Sequence, residues 1–522
     1  MRRSPSLVVV ALVAMLTAVS TASADVGPLV RATGASPLPP GCSGAPQPGT
    51  LFPGSEVEPF VASSPADLSN LVAVWQQDRW SNGGAQADLT AYSRDGGGSW
   101  QLPTPPPFSR CTGGNPSNGG DYERNSDPWV SIGPDGTAHQ IALAIDAGET
   151  ISAVLVSSSR DGGRTWGPVK TLQRDTTAAL FNDKESITAD PTDANLVYAV
   201  WDRVQAADPE DPASTFSGDT LFTRSTDGGE TWEPARTILD FPDNSGIQSL
   251  GNQIAVLGDG TLVNVFDLID QGTPIVAVQR STDKGATWSD AILVDLLLSS
   301  AVTTQGGVVD PSDGHPVRTG DLIPDAAADP RPGSTTLHIV WQDLRFSLLA
   351  PIANDQIVIA SSTDGGATWT DPRRASANQV VQSFTGSVHV DPAGTVGVTY
   401  YDFTNDDPSG GPLDTDAWFT SSSDGGLTFA PRQRLTPAPF DMRAAPDAEG
   451  FFLGDYTGLT WAGGPFVPVL VLANAGDAAN PTDVVSTAVT PEATGQTLGS
   501  GSAERARVRT ARDRVERAVR MP

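Results

Sequence analysis

Aspartates set among glycines, and arginines set just behind aspartates, are the residues of this chain whose types and spacing could do chemistry. Residues 93–100 read SRDGGGSW, and a carboxylate in a glycine turn beside a tryptophan could serve an acid–base step. The stretch recurs, however, as SRDGGRTW at 159, STDGGETW at 225, STDKGATW at 281, STDGGATW at 362 and SSDGGLTF at 422. A reaction centre needs such an aspartate once, so the set Asp95, Asp161, Asp227, Asp283, Asp364 and Asp424 is structural. A second set is less uniform. Arg79, Arg203 and Arg345 follow the aspartates of QQDRW, WDRV and WQDLRF, and three converging guanidinium groups could grip a carboxylate. Salt bridges to the neighbouring aspartates are the competing reading.

The elements that must carry these residues repeat with them. An alternating apolar segment precedes each box, from DLTAYS to AWFTSS, and a second strand lies upstream of it, from NLVAVWQQD to VGVTYYD. A first strand ending in an Asp-Pro or Asp-Gly turn comes earlier still, as in SITADP and IAVLGDG. Each unit of about sixty residues therefore reads as a four-stranded antiparallel meander, and radial repetition of such units gives an all-β propeller. Six units carry a box. A seventh follows without one (FLGDYTGLTWA, FVPVLVLANA, DVVSTAV), and its missing outer strand can come from residues 25–56. Seven blades are favoured, with six as the alternative.

The boxes and their strand context resemble the BNR/Asp-box repeats of the sialidase superfamily over nearly the whole mature chain. The resemblance places each box in the hairpin between the third and fourth strands of a blade. There the carboxylate accepts turn N–H groups, the second glycine takes a positive φ and the tryptophan packs between sheets. Strand alternation then puts the ends of the second strands at the opposite, substrate-binding mouth. Asp78, Asp146, Asp202, Asp267, Asp343 and Asp402 end those strands, either as caps of their turns or as a ring for a cation.

Unrepeated residues at that mouth are the better site candidates. Sialidases use a Tyr nucleophile with a Glu, a separate Asp acid/base and three arginines on the substrate carboxylate. YTGLT at 456–460 is similar to the family's Y-S-x-L, which implies Tyr456 as nucleophile, Glu185 as its carboxylate partner and Asp127 as proton donor. Arg79, Arg203, Arg345 and Asp455 are the implied substrate-binding residues. The family's R-I-P finds its nearest string in Leu322-Ile323-Pro324, with Leu in place of Arg. Its catalytic glutamate segment aligns with GNQIAVLGDG, which puts Gly251 at the Glu position, and Asp267 falls where an arginine is expected.

Composition bounds the setting. Residues 1–24 have the Arg2-Arg3, apolar-run and Ala22-Ser23-Ala24 pattern of a secretory signal peptide, so secretion is expected. In an oxidising compartment Cys42 and Cys111 are expected to pair. The four histidines are scattered and form no metal-ligand cluster, and neither metal nor cofactor is expected. A net charge of −29 excludes nucleic acid and anionic membrane as partners, and no later apolar run is long enough to span a bilayer. The propeller is expected over 57–486, a polar linker over 487–503 and an Arg-rich helix or tail over 504–522, either docked on the acidic body or free to meet polyanions. The expected molecule is a monomeric exo-glycosidase of sialidase type acting on extracellular glycans. Its alternative is a non-catalytic propeller that binds glycan or protein, or a cell-envelope scaffold.

Overall fold

The computed structural model describes residues 25–44, 46–206, 216–303, 307–347, 353–377 and 380–492. The signal-peptide segment 1–24, most of the linker and the Arg-rich segment 504–522 lie outside the described residues. The described chain is all-β apart from a few short helical turns such as Ser300–Thr303.

Antiparallel pairing divides the strands into successive groups. The second is typical: Arg124–Ile132, Ala138–Ile145, Ser152–Ser159 and Lys170–Asp175 pair in chain order. The first group begins with Glu56–Ser64, Asp67–Arg79 and Ala85–Ser93. The third, fourth, fifth and sixth begin at Leu180–Ala189, Ile247–Val256, Asp325–Ala328 and Ser383–Val390. A last group pairs Gly458–Trp461, Phe466–Ala473 and Thr482–Ser486, and its outer edge is Val30–Arg31 from the N-terminal arm. Bridging continues past it, with Val489 paired to both Val26 and Phe466. The innermost strands touch in succession, and Gly458–Trp461 returns to touch Glu56–Ser64, so the ring is closed.

Apolar residues of adjoining sheets fill the spaces between groups. Ile141, Val154 and Val156 meet Ile187, Val197 and Trp201 between the second and third. Trp75, Trp201 and Trp341, each just before the aspartate that ends a second strand, are fully buried.

The boxes have one geometry. In the first, the Ser93 hydroxyl donates to Asp95 at 2.8 Å, and the Ser99 N–H and hydroxyl donate to the same carboxylate at 2.8 and 2.7 Å. The same bonds recur at Asp161, Asp227, Asp283, Asp364 and Asp424. The second glycine of each box lies against the preceding group. At Gly285 (φ +78°) an added Cβ would stand 2.5 Å from the Phe222 ring. In the fourth box Lys284 occupies the first glycine position with φ +58°, and its ammonium reaches Asp190 of the previous group at 2.9 Å. The boxes therefore fasten one sheet to the last.

Residues 297–324 form the long connection between the fourth and fifth groups. Within it Val308–Val309 pairs with Pro316–Arg318, which runs parallel to Phe451–Phe452. This small sheet stands at the mouth opposite the boxes and carries Arg318 to the site.

Candidate functional site

The inner strands share an irregularity that aims their side chains. Pairing slips by a bulge near Glu58, Asp127, Lys184, Gly251 and Thr385. These residues have φ of 53°, 52°, 46°, 68° and 48°. A left-handed conformation costs a non-glycine residue roughly 1–2 kcal/mol, and bulges of this kind redirect side chains at barrel and channel rims. In the first two groups proline follows the bulge (Glu58-Pro59, Asp127-Pro128) and supplies no N–H to the ladder. Three adjoining blades thus present a glutamate, an aspartate and a lysine.

These side chains line a cleft of about 710 Å³ together with Arg79, Asp183, Arg318, Asp455 and the residues of the 297–324 connection. Lys184 Nζ lies 3.1 Å from Asp127 Oδ1 and 4.0 Å from the centroid of the Tyr456 ring. Arg318 grips Asp455 with two bonds of 3.1 and 2.6 Å. Burial works against the Asp455 charge, but the Arg318 guanidinium outweighs it and holds the carboxyl at about 2. Glu58 behaves oppositely. Burial, reinforced by the charge of Asp127, pushes its carboxyl up to about 8. Burial and Asp127 likewise push Asp183 up to about 8.

Arg79 is only 3% exposed. It donates to the Gln76 side-chain oxygen at 2.6 Å and stands 5.0 Å from the Phe452 ring, which Arg318 also approaches at 4.4 Å. Its Nε has no hydrogen-bond acceptor among the described residues, and no carboxylate there forms an ion pair with it.

The other arginines put forward from the sequence stand elsewhere. Arg203 pairs with Asp175 at 2.6 Å, and Arg345 is buried against Asp343 at 2.7 Å and Asp295 at 3.4 Å. Neither lines the cleft. Tyr456 is buried beneath it, beside a void of about 20 Å³ that shares Gly320, Ile323 and Asp455 with the cleft. The Tyr456 hydroxyl donates to the Pro128 carbonyl at 3.1 Å, and burial with the nearby Glu58 and Asp127 charges raises its ionisation well above the ordinary value. Tyr456 packs on Trp129, which stacks on Phe60 at 3.5 Å. These rings separate the charged cleft from an apolar cavity of about 530 Å³ at the box end of the channel. Glu185 is buried outside the cleft lining, where burial raises its pKa and neither oxygen meets a donor among the described residues.

Most of the aspartates that end the second strands are held by donors around them, though Asp267 Oδ2 meets none among the described residues. Asp78 accepts from Gly54 N–H and Ser36, Asp146 from Thr150 and Ile151, and Asp402 from Thr404 and Trp418. Among the described residues no group of three or more His, Cys, Asp or Glu side chains is placed to hold a metal ion. Cys42 and Cys111 form the disulfide.

Arg318, Asp183, Lys184 and Glu58 stand in the cleft although none of them has a role assigned from the sequence. The signal was there: EVEPFV matches NSDPWV, with an acid before proline at the same point of the first strand.

Six boxes of one geometry on a closed ring of sheets define the class. The chain is an all-β propeller that carries the BNR/Asp-box repeat. The BNR/Asp-box repeat family model matches residues 223–234, which contain the whole third box. Among curated proteins, xyloglucanase Xgh74A of Acetivibrio thermocellus is 29% identical over 203 residues, covering 35% of this chain and 19% of that protein. The chain thus spans about a fifth of the length of that relative. Among solved structures, the Hadza microbial sialidase Hz136 is similar with a TM-score of 0.44 at 17% identity, covering 72% of this chain and 67% of that one. The Penicillium chrysogenum α-L-arabinanase complexed with arabinobiose gives 0.42 at 12% identity, covering 90% and 100%. The Trypanosoma rangeli sialidase in complex with sialic acid gives 0.40 at 14%, covering 74% and 56%.

Proposed function

We propose that this protein is an exported glycan-processing propeller, a glycoside hydrolase whose site is the charged cleft and whose substrate carries an acidic sugar. Arg79 is the observation that carries this reading. Lys184 and Arg318 are each matched by a carboxylate, whereas Arg79 lines the cleft as a buried cation without one. An uncompensated buried charge is costly, and a carboxylate brought by the substrate removes that cost while fixing its orientation. Asp127 supplies a carboxylate to the same cleft. Action outside the cytoplasm is supported by the Cys42–Cys111 disulfide, since such bonds persist in oxidising compartments.

The test is a panel of fluorogenic sialosides, uronosides and neutral glycosides offered to the protein without residues 1–24. Turnover of an acidic glycoside, with kcat/KM reduced about 100-fold or more in Arg79→Met, supports the reading. Turnover of neutral glycosides alone removes the acidic substrate. The bonding of the Tyr456 hydroxyl to Pro128 favours a second reading, a propeller that binds glycans without cleaving them. Saturable binding with no turnover would establish that one instead.

A further inference from the structure

We propose that Glu58 is the proton donor of this cleft, delivering its proton to the glycosidic oxygen while Asp127 takes the proton of the attacking water. The inference rests on the glycan-processing reading and assigns the chemistry to bulge residues of adjoining blades rather than to Tyr456.

Placement is the first ground. Glu58, Asp127 and Lys184 occupy the same left-handed bulge of three successive inner strands, and each lines the cleft. The matching bulges of the fourth and sixth groups carry Gly251 and Thr385, so charged bulge residues come from three adjoining groups. Backbone strain kept at charged residues, where glycine would relieve it, is a mark of functional sites.

Contacts are the second ground. Glu58 is 1% exposed, and the groups bonded to it are donors. The Gln76 amide donates to Oε2, and the Asp455 backbone N–H donates to Oε1 at 3.3 Å. Gln76 cannot turn its oxygen toward Glu58, because Arg79 donates to that oxygen and the amide also donates to Ser126 at 3.0 Å. Both Glu58 oxygens thus meet donors in these contacts, and the carboxyl lines the cleft. The charged groups facing it are Asp127, Asp455, Asp88, Lys184, Arg79 and Arg318. Burial together with the Asp127 charge keeps the carboxyl protonated up to about 8. Two carboxyls in unlike settings, one holding its proton and one salt-bridged to Lys184, are the usual division between acid and base.

The step balances. The proton leaves Glu58 for the glycosidic oxygen as the bond from that oxygen to the anomeric carbon breaks. Its electron pair stays with the departing alcohol. Water oxygen bonds to the anomeric carbon and its surplus proton passes to Asp127, which then releases a proton to solvent as solvent returns one to Glu58. Glycoside and water become free sugar and alcohol.

The experiment compares wild type, Glu58→Gln, Glu58→Asp and Asp127→Asn on the glycoside found active. Each is tested with a nitrophenyl and an alkyl leaving group across pH 5–10, with thermal melts to confirm folding. A proton donor matters most for the poor leaving group, and general acid catalysis contributes about 10²–10⁴-fold. Glu58→Gln should lose at least about 100-fold on the alkyl glycoside and far less on the nitrophenyl one. The alkaline limb of wild type near pH 8 should vanish with it. Glu58→Asp, the more conservative change, should restore part of the alkyl activity, and Asp127→Asn should slow both substrates. If Glu58→Gln keeps the alkaline limb, or slows both leaving groups equally, Glu58 is not the donor although the glycosidase reading stands. If wild type cleaves no glycoside, both fall.

Discussion

The ammonium of Lys184 stands 4.0 Å from the centre of the Tyr456 ring while it bridges to Asp127 at 3.1 Å. One cation thus closes the face of the tyrosine and balances a carboxylate of the neighbouring blade. Burial opposes that cation, but Asp127 and then Glu58 hold its pKa above the ordinary lysine value.

Lys184→Met should therefore be costly. Removing one partner of a buried ion pair leaves the other uncompensated, and about 3–5 kcal/mol of stability is the expected loss. Urea unfolding measures it. A loss under about 1 kcal/mol would mean that Asp127 finds another partner.

Glu58 ties stability to pH with a definite sign. Its folded carboxyl titrates at about 8 against 4.5 unfolded, so the folded state holds a proton that the unfolded chain releases. The stability this contributes is complete below pH 4.5 and is lost as pH rises through 8. Glu58→Gln removes that slope, so its melting temperature relative to wild type should climb between pH 5 and 9. A constant offset would contradict the assignment.

The buried histidines act at the acid end. His139 and His338 each face a serine hydroxyl through Nδ1 at 2.8 Å, and burial holds both at about 4, against an ordinary 6.5. Their contribution is complete above pH 6.5 and is lost as pH falls through 4. His338→Asn should flatten the fall of melting temperature between those values, as differential scanning calorimetry would register.

Box glycines separate backbone from packing. Gly285 and Gly425 both have positive φ, but a Cβ at Gly285 would meet Phe222 at 2.5 Å and one at Gly425 would meet nothing within 4 Å. Gly285→Ala should cost about 1–3 kcal/mol more than Gly425→Ala, the usual penalty of overpacking. Equal losses in chemical denaturation would show that the preceding sheet gives way.

Reducing Cys42–Cys111 should cost stability as well. The bond closes a separation of 69 residues, for which chain entropy gives about 4 kcal/mol. Melts with and without dithiothreitol measure the difference.

The fold was legible because the box recurs, and repeats expose strand order and orientation without long-range information. The site was legible only where local sequence decides it. Arg79, Arg203 and Arg345 look alike as residues following an aspartate. Asp78, however, has a φ of 61°, and Arg79 beyond it faces the cleft. Arg203 continues its strand toward Asp175, and Arg345 folds back on Asp343. Arg318 reaches the mouth through a connection that belongs to no repeat. Glu58 meets the Asp455 backbone across 397 residues, a proximity that only ring closure creates.

That closure has a consequence for biogenesis. Val30 pairs with Ser486, so the outermost strand of the last sheet is made first and its partner hundreds of residues later. Until Thr482–Ser486 emerges from the ribosome, the opening segment has no edge to join. The propeller must then remain an open arc through almost all of its synthesis. Its cleft, with Glu58 from the start of the ring and Asp455 from the end, comes into being in the final moments of folding.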